Sequence, residues 1–190
     1  FSKPYCYHID QFESLRPVFM QVMKYARAMG LDMIQGDHED APGQLELNWM
    51  YDDVLRNADR LSTYRQICAQ VAREFNLIAC FMTKPFMGVS ASGCHTNMSL
   101  WTGGKDKLNK LGHKSIPAMD EVFTYVEGGK NTFMPDTKDV QLPGKVGLKA
   151  IGGVMKHLGA LTAIGSSTVN SYRRLWDTGF WAPVYADWGY

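Results

Sequence analysis

Apolar positions along this chain recur at two different spacings. From Asp10 to Gly30, the residues Phe12, Leu15, Phe19, Val22, Met23 and Ala26 return at helical intervals, which predicts a first long helix stopped at Gly30. Met33-Ile34-Gln35 is strand-like, and the pattern beyond it switches to alternation. Leu45, Leu47 and Trp49 share one face of an extended segment and Gln44, Glu46 and Asn48 the other, so the apolar set is expected on the core side. Between the two extended segments, Pro42 fixes φ and Gly43 tolerates positive φ, which predicts a chain reversal.

Further along, Asp52 or Asp53 is placed to cap a second long helix through about Phe75. Its expected buried stripe is Val54, Ala58, Leu61, Tyr64, Ile67, Cys68, Val71 and Phe75. The unbroken apolar run Leu77-Ile78-Ala79-Cys80-Phe81-Met82 reads as a buried strand ending at Lys84-Pro85. A small-residue loop and a further strand follow, on which His95, Asn97 and Ser99 alternate with Cys94, Thr96, Met98 and Leu100. The stretch from Gly103 to Gly144 is loop-rich, with a short helix expected around Ala118 to Glu127. A third long helix covers about Lys145 to Thr162 and stops before Gly165-Ser166-Ser167.

Composition narrows the class. With 190 residues, 45% hydrophobic and 21% charged, the chain can bury a core as one domain. A net charge of +1 without a Lys/Arg-rich run leaves no electrostatic footprint for nucleic acid. No apolar run approaches the roughly 20 residues of a membrane span, and a cytoplasmic protein is expected. Cys6, Cys68, Cys80 and Cys94 show no framework spacing, which fits free thiols. The chain opens on Phe1 and closes on the aromatic stretch Ala186-Asp187-Trp188-Gly189-Tyr190, the look of a piece of something longer.

Two segments carry candidate chemistry. Glu39 and Glu46 flank the Pro-Gly turn; they form either a metal clamp, since paired carboxylates repel without a cation or proton between them, or the acidic edges of a solvated hairpin. His95, Asn97 and Ser99 put three polar heads on one side of an otherwise apolar segment. His95 alone reads as a satisfied structural histidine, although the small residues from Ser90 to Gly93 would let a ligand approach the backbone, which raises the functional reading.

Three motifs in order resemble the catalytic domain of the glutamine synthetase superfamily. They are Glu39 and Glu46 around Pro-Gly-Gln; the run from Phe81-Met82-Thr83-Lys84-Pro85 to His95-Thr96-Asn97-Met98-Ser99-Leu100-Trp101; and Leu161-Thr162-Ala163-Ile164 through Asn170-Ser171-Tyr172-Arg173-Arg174-Leu175. The resemblance runs from about Met33 to the C-terminus. It implies an α+β fold, a curved antiparallel sheet packed with helices, of which residues 1–190 would be a partial catalytic domain. It also implies a ligase that phosphorylates glutamate with ATP and lets an amine displace the phosphate, with Mg²⁺ or Mn²⁺ bridging the phosphates. By position, Glu39 and Glu46 match ligands of the metal nearest glutamate, and His95 matches a ligand of the metal on the nucleotide phosphates. Tyr51, Asn97 and Ser99 match positions bordering the nucleotide, Asn97 standing where many members have histidine. Arg174 matches the arginine that approaches glutamate and the transferring phosphate; a surface salt bridge is its other reading.

The departures bear on substrate. Ammonia-using members carry Asn-Gly in the loop that holds glutamate, where this chain has Ser90-Ala91. They carry Gly-Tyr-Glu-Ala-Pro where this chain has Gly179-Phe180-Trp181-Ala182-Pro183. Losing that glutamate removes an attraction for ammonium, and an indole offers an apolar or cation-π wall suited to an alkylammonium. Within the superfamily the look is nearest the glutamate–methylamine ligases, with ammonia remaining the substrate if Trp181 only packs the flap. A catalytically silent scaffold is the reading from a different class. The small N-terminal β domain, its Glu-x-Glu strand and the later C-terminal residues of the family do not appear in this sequence. Since family sites form between subunits of a ring, typically a dodecamer of two hexamers, the 190-residue chain alone is expected to be inactive.

Overall fold

A computed structural model describes residues 6–102, 105–106, 126–127, 130–135 and 143–176. The chain divides into two compact units, Phe1–Phe81 with Leu108–Tyr125 and Met82–Lys107 with Val126–Tyr190.

In the first unit, helix α1 (Ile9–Ala28) precedes strands β1 (Met33–His38) and β2 (Leu45–Trp49), and helix α2 (Val54–Glu74) closes the order. The expected stripe of α1 is buried through Phe19, Val22, Met23 and Ala26, which pack with Leu31, Met33, Ile67 and Val71 into one apolar cluster. Phe12 joins its edge, with its ring 5.0 Å from that of Phe19. Gly30, at φ +80°, takes the left-handed conformation that ends the helix.

β1 and β2 pair antiparallel, with Gly36 opposite Leu47, Asp37 opposite Glu46 and His38 opposite Leu45. The reversal is the predicted one. Gln44 N–H donates to Ala41 O at 2.9 Å across Pro42-Gly43, and Gly43 sits at φ +75°, the arrangement of a type II turn. Leu45, Leu47 and Trp49 lean on the core cluster as the alternation requires. Gly36 is obligatory for another reason: a Cβ there would run into the Phe19 ring and the Glu46 carbonyl, so its absence lets α1 lie against the hairpin.

Of the two candidate caps for α2, Asp53 does the capping, accepting from the N–H groups of Leu55 and Arg56 at 3.0 Å. Asp52 is instead buried in an ion pair with Arg60 at 3.0 Å, and Arg60 reaches Asp32 at 3.0 Å as well. This bridge ties the two outer ends of the hairpin to α2. Within the expected α2 stripe, burial is confined to Ile67 and Val71, which pack into the cluster with α1; Val54 and Phe75, at the two ends, are exposed.

Three expectations are corrected. The run at 77–82 is not a strand: it pairs with no described segment, and Ile78 is 92% exposed. An apolar run buried on both faces needs neighbouring strands on its edges, and none of the described residues supplies them. The segment 94–100 is not a strand either: among the described residues its backbone bond to a distant segment is Thr132 N–H donating to Leu100 O at 2.8 Å, so no pleat enforces a common face for His95, Asn97 and Ser99. The third long helix is two, α3 (Lys145–Lys156) and α4 (Leu158–Gly165), broken at His157, whose backbone leaves helical geometry at φ −105°, ψ 14°. The helix expected around 118–127 falls outside the described residues except for Val126–Glu127, which is extended.

The second unit holds α3, α4 and a short α5 (Val169–Arg174), with two small antiparallel pairs. β3 (Trp101–Thr102) pairs with β6 (Lys130–Asn131), and β4 (Lys105–Asp106) with β5 (Val126–Glu127). The fold is therefore α+β with antiparallel pairing, as the sequence implied.

Candidate functional site

The hairpin builds an acidic cluster from local rules. Period-two alternation along β1 and its continuation puts residue 37 and, one residue past the strand, residue 39 on one side, and the register sets Glu46 directly opposite Asp37. Glu39 continues the ladder, its N–H donating to Gln44 O at 2.9 Å. Carboxylate oxygens of Asp37, Glu39 and Glu46 consequently lie within 4.8 Å of one another, the one such group of three potential metal ligands among the described residues.

The electrostatics follow from that crowding. Partial burial raises the Glu39 pKa, with the charges of Glu46 and Asp37 adding to the rise and the Asp40 N–H, 3.3 Å away, opposing it. Burial also raises Asp37, with Glu46 contributing. The negative field reaches Tyr7, whose hydroxyl is pushed up first by Glu39 and then by Asp37. One Asp37 oxygen, Oδ1, is buried without a hydrogen-bond partner. Three carboxylates with an unsatisfied oxygen between them suit a hard divalent cation such as Mg²⁺ or Mn²⁺. His38, buried between Asp37 and Glu39 in sequence, alternates to the other face and is no part of the cluster.

Asp37 was not among the residues singled out from the sequence. The signal was there: a Pro-Gly turn pairing 39 with 44 fixes the register that pairs 37 with 46.

In the second unit, His95 and Arg174 come together. A Cβ on Gly93 would lie 3.2 Å from His95 Nε2 and 3.5 Å from Arg174 Nη2, so both heads border the same spot beside Gly93. Arg174 ends α5, whose first turn is capped by Thr168 Oγ1 accepting from the Ser171 N–H at 3.2 Å. Ser90 is buried and Ala91 half-buried; Asn97 and Ser99 are exposed, Ser99 Oγ accepting from the Trp101 indole N–H at 3.0 Å. Tyr51 belongs to the first unit, just past β2, and is 47% exposed. Trp181 lies outside the described residues. The structure thus unites Glu39 with Glu46 in one unit and His95 with Arg174 in the other.

Residues 2–125 and 122–190 match the family model described as glutamine synthetase, catalytic domain. The chain belongs to the glutamine synthetase family. Within that family it is 33% identical to a glutamine synthetase of Rhizobium meliloti over 98% of its own length and 38% of the relative's. It is 32% identical to a glutamate–methylamine ligase of Methyloversatilis universalis over 99% of its length and 38% of the relative's. The solved structure titled apo GmaS without ligand superposes with a TM-score of 0.72 at 32% identity, covering 92% of this chain and 35% of that one. The chain therefore spans a little over a third of the relatives it matches. No helix among the described residues is long and apolar enough to cross a membrane.

Proposed function

We propose that the protein carrying this chain is an ATP-dependent ligase that joins methylamine to the glutamate side chain, giving γ-glutamylmethylamide. The observation that carries this reading is the convergence of Glu39, Glu46 and Asp37 on one face of a glutamine synthetase-family hairpin. In this reading Glu39 and Glu46 hold a Mg²⁺ or Mn²⁺ ion near glutamate and His95 holds one near the nucleotide phosphates. Such ions, when bound, neutralise charge on the phosphoryl group in transit.

The chain's own residues do the rest. Tyr51, Asn97 and Ser99 border the nucleotide, and Ser90 and Ala91 form the loop against glutamate. A γ-carboxylate oxygen of glutamate attacks the γ-phosphorus of ATP, and ADP departs with the electron pair of the broken P–O bond. Arg174 stays charged and presents a planar fork of N–H donors, so it orients the carboxylate and the phosphoryl oxygens together. The amine nitrogen then adds to the acyl carbon, phosphate leaves, and the nitrogen gives up a proton. Trp181 supplies the wall against the amine's methyl group. A cytoplasmic dodecamer of two hexameric rings is the assembly that goes with this reading.

The second reading keeps the chemistry and changes the amine to ammonia. It is supported by the match to the Rhizobium meliloti glutamine synthetase, whose identity to this chain equals that of the methylamine ligase within a single percentage point. Phosphate release by the full-length protein with glutamate, Mg·ATP and either methylamine or ammonium tests both. A higher specificity constant for methylamine is expected. Preference for ammonium selects the second reading, and silence with both amines, without ATP binding, points to a scaffold.

A further inference from the structure

We infer that Lys84 is a positioning residue that, together with Asn170, fixes the loop 85–91 and ties it to the helix carrying Arg174; its consequence for glutamate rests on the function proposed above. The Lys84 side chain is buried, the residue being 3% exposed, and no carboxylate among the described residues pairs with it. Its ammonium donates instead to Val89 O at 2.6 Å. That bond closes a loop of five residues on the lysine's own side chain and sets where Ser90 and Ala91 begin. Burying an ammonium against a carbonyl is a costly way to hold a surface loop, so the site gains definition at the expense of solvation.

The lysine backbone is clamped from the other side. Lys84 N–H donates to Asn170 Oδ1 and Asn170 Nδ2 donates to Lys84 O, both at 2.7 Å, a reciprocal pair across 86 positions of sequence. The neighbouring residues repeat the link, with Thr83 Oγ1 and Ser171 Oγ 3.3 Å apart and Ser92 N–H donating to Thr83 O at 2.8 Å. Asn170 and Arg174 stand four residues apart in α5, on one face. The face that presents Arg174 is thus the face bolted to the root of the loop. Moving either end shifts Ser90 and Ala91 relative to the guanidinium.

The test uses the full-length protein and the variants Lys84→Met, Lys84→Arg and Asn170→Ala. Lys84→Met leaves Val89 O without its donor, and a rise in KM for glutamate of about tenfold is expected, with KM for ATP changed less than about twofold. Asn170→Ala should move KM for glutamate in the same direction, and the double variant should be less than additive because both break one frame. Lys84→Arg, which keeps a donor, should recover part of the loss. Amide hydrogen exchange across 85–92 gives a readout independent of turnover: faster exchange confined to that loop in Lys84→Met supports the clasp. Unchanged exchange there, or equal rises in both KM values with a lowered melting temperature, overturns the inference. Wild-type protein that turns over no glutamate overturns the proposed function instead, and the exchange experiment still decides the clasp.

Discussion

Asp37 faces Glu46 directly across the β1–β2 ladder, and Glu39 closes the group from two residues further along the chain, just past β1. Like charges set opposite in an antiparallel pair destabilise it unless something binds between them. If the cluster holds a cation, as proposed, this geometry makes Asp37 a third partner to Glu39 and Glu46. Asp37→Asn is expected to weaken Mn²⁺ affinity by about tenfold while leaving the fold intact, and Glu46→Ala to abolish metal-dependent turnover in the full-length protein. Mn²⁺ titration followed by paramagnetic resonance measures the first and phosphate release the second; full turnover in Glu46→Ala would sink the metal assignment.

The same crowding sets a pH dependence. Folding raises the pKa values of Asp37 and Glu39 above their ordinary range, so between the ordinary and raised values the folded state holds more protons than the unfolded one. These two groups therefore contribute stability that is present below the carboxylate range and is lost as pH rises through the raised values. A bound divalent cation reverses the sign, because it binds the deprotonated carboxylates. Thermal unfolding across pH in EDTA should show this decline, Asp37→Asn should flatten it, and added Mg²⁺ should turn it into a gain.

Adjacent aspartates at the start of α2 have different work. Asp53 caps the helix from an exposed position, so Asp53→Ala should cost about 1 kcal/mol. The Asp52 carboxylate is fully buried against Arg60, which would be left partly unpaired by its removal. Asp52→Ala should cost about 3 kcal/mol, and Asp52→Ala with Arg60→Met less than the sum of the two single changes. Urea unfolding of Asp53→Ala, Asp52→Ala, Arg60→Met and the double variant orders them, and equal losses for Asp52→Ala and Asp53→Ala would show that the buried pair contributes nothing extra.

What the sequence disclosed divides along the same line between local and distant partners. The Ala41–Gln44 turn, the alternation of β2 and the stripe of α1 rest on neighbours in sequence, and all three appear in the structure. The run at 77–82 was misread because strandedness depends on distant partners. Asp37 joins the acidic cluster only once the register is counted across the turn. Lys84 gave no sign at all: its decisive partner, Asn170, is 86 residues away. His95 and Arg174 are legible only through the motifs around them, and their meeting beside Gly93 joins segments about eighty residues apart.

Under the proposed function, amine choice rests on Trp181, which by the family resemblance stands where ammonia-using members place a glutamate. A carboxylate there attracts a small hydrated cation through charge, whereas an indole face attracts a cation more weakly but also gains contact with its methyl group. One buried methyl is worth about 1 kcal/mol, and removing a carboxylate costs ammonium its charge partner, so with Trp181 against the amine, as proposed, both terms favour methylamine. Trp181→Glu in the full-length protein is expected to shift the ratio of specificity constants toward ammonium by about tenfold or more, with KM for ATP unchanged. Trp181→Phe should keep the methylamine preference while weakening it, since a smaller ring retains the apolar wall. If Trp181→Glu leaves the ratio where it was, the indole packs the flap without touching the amine, and selectivity must come from another part of the site.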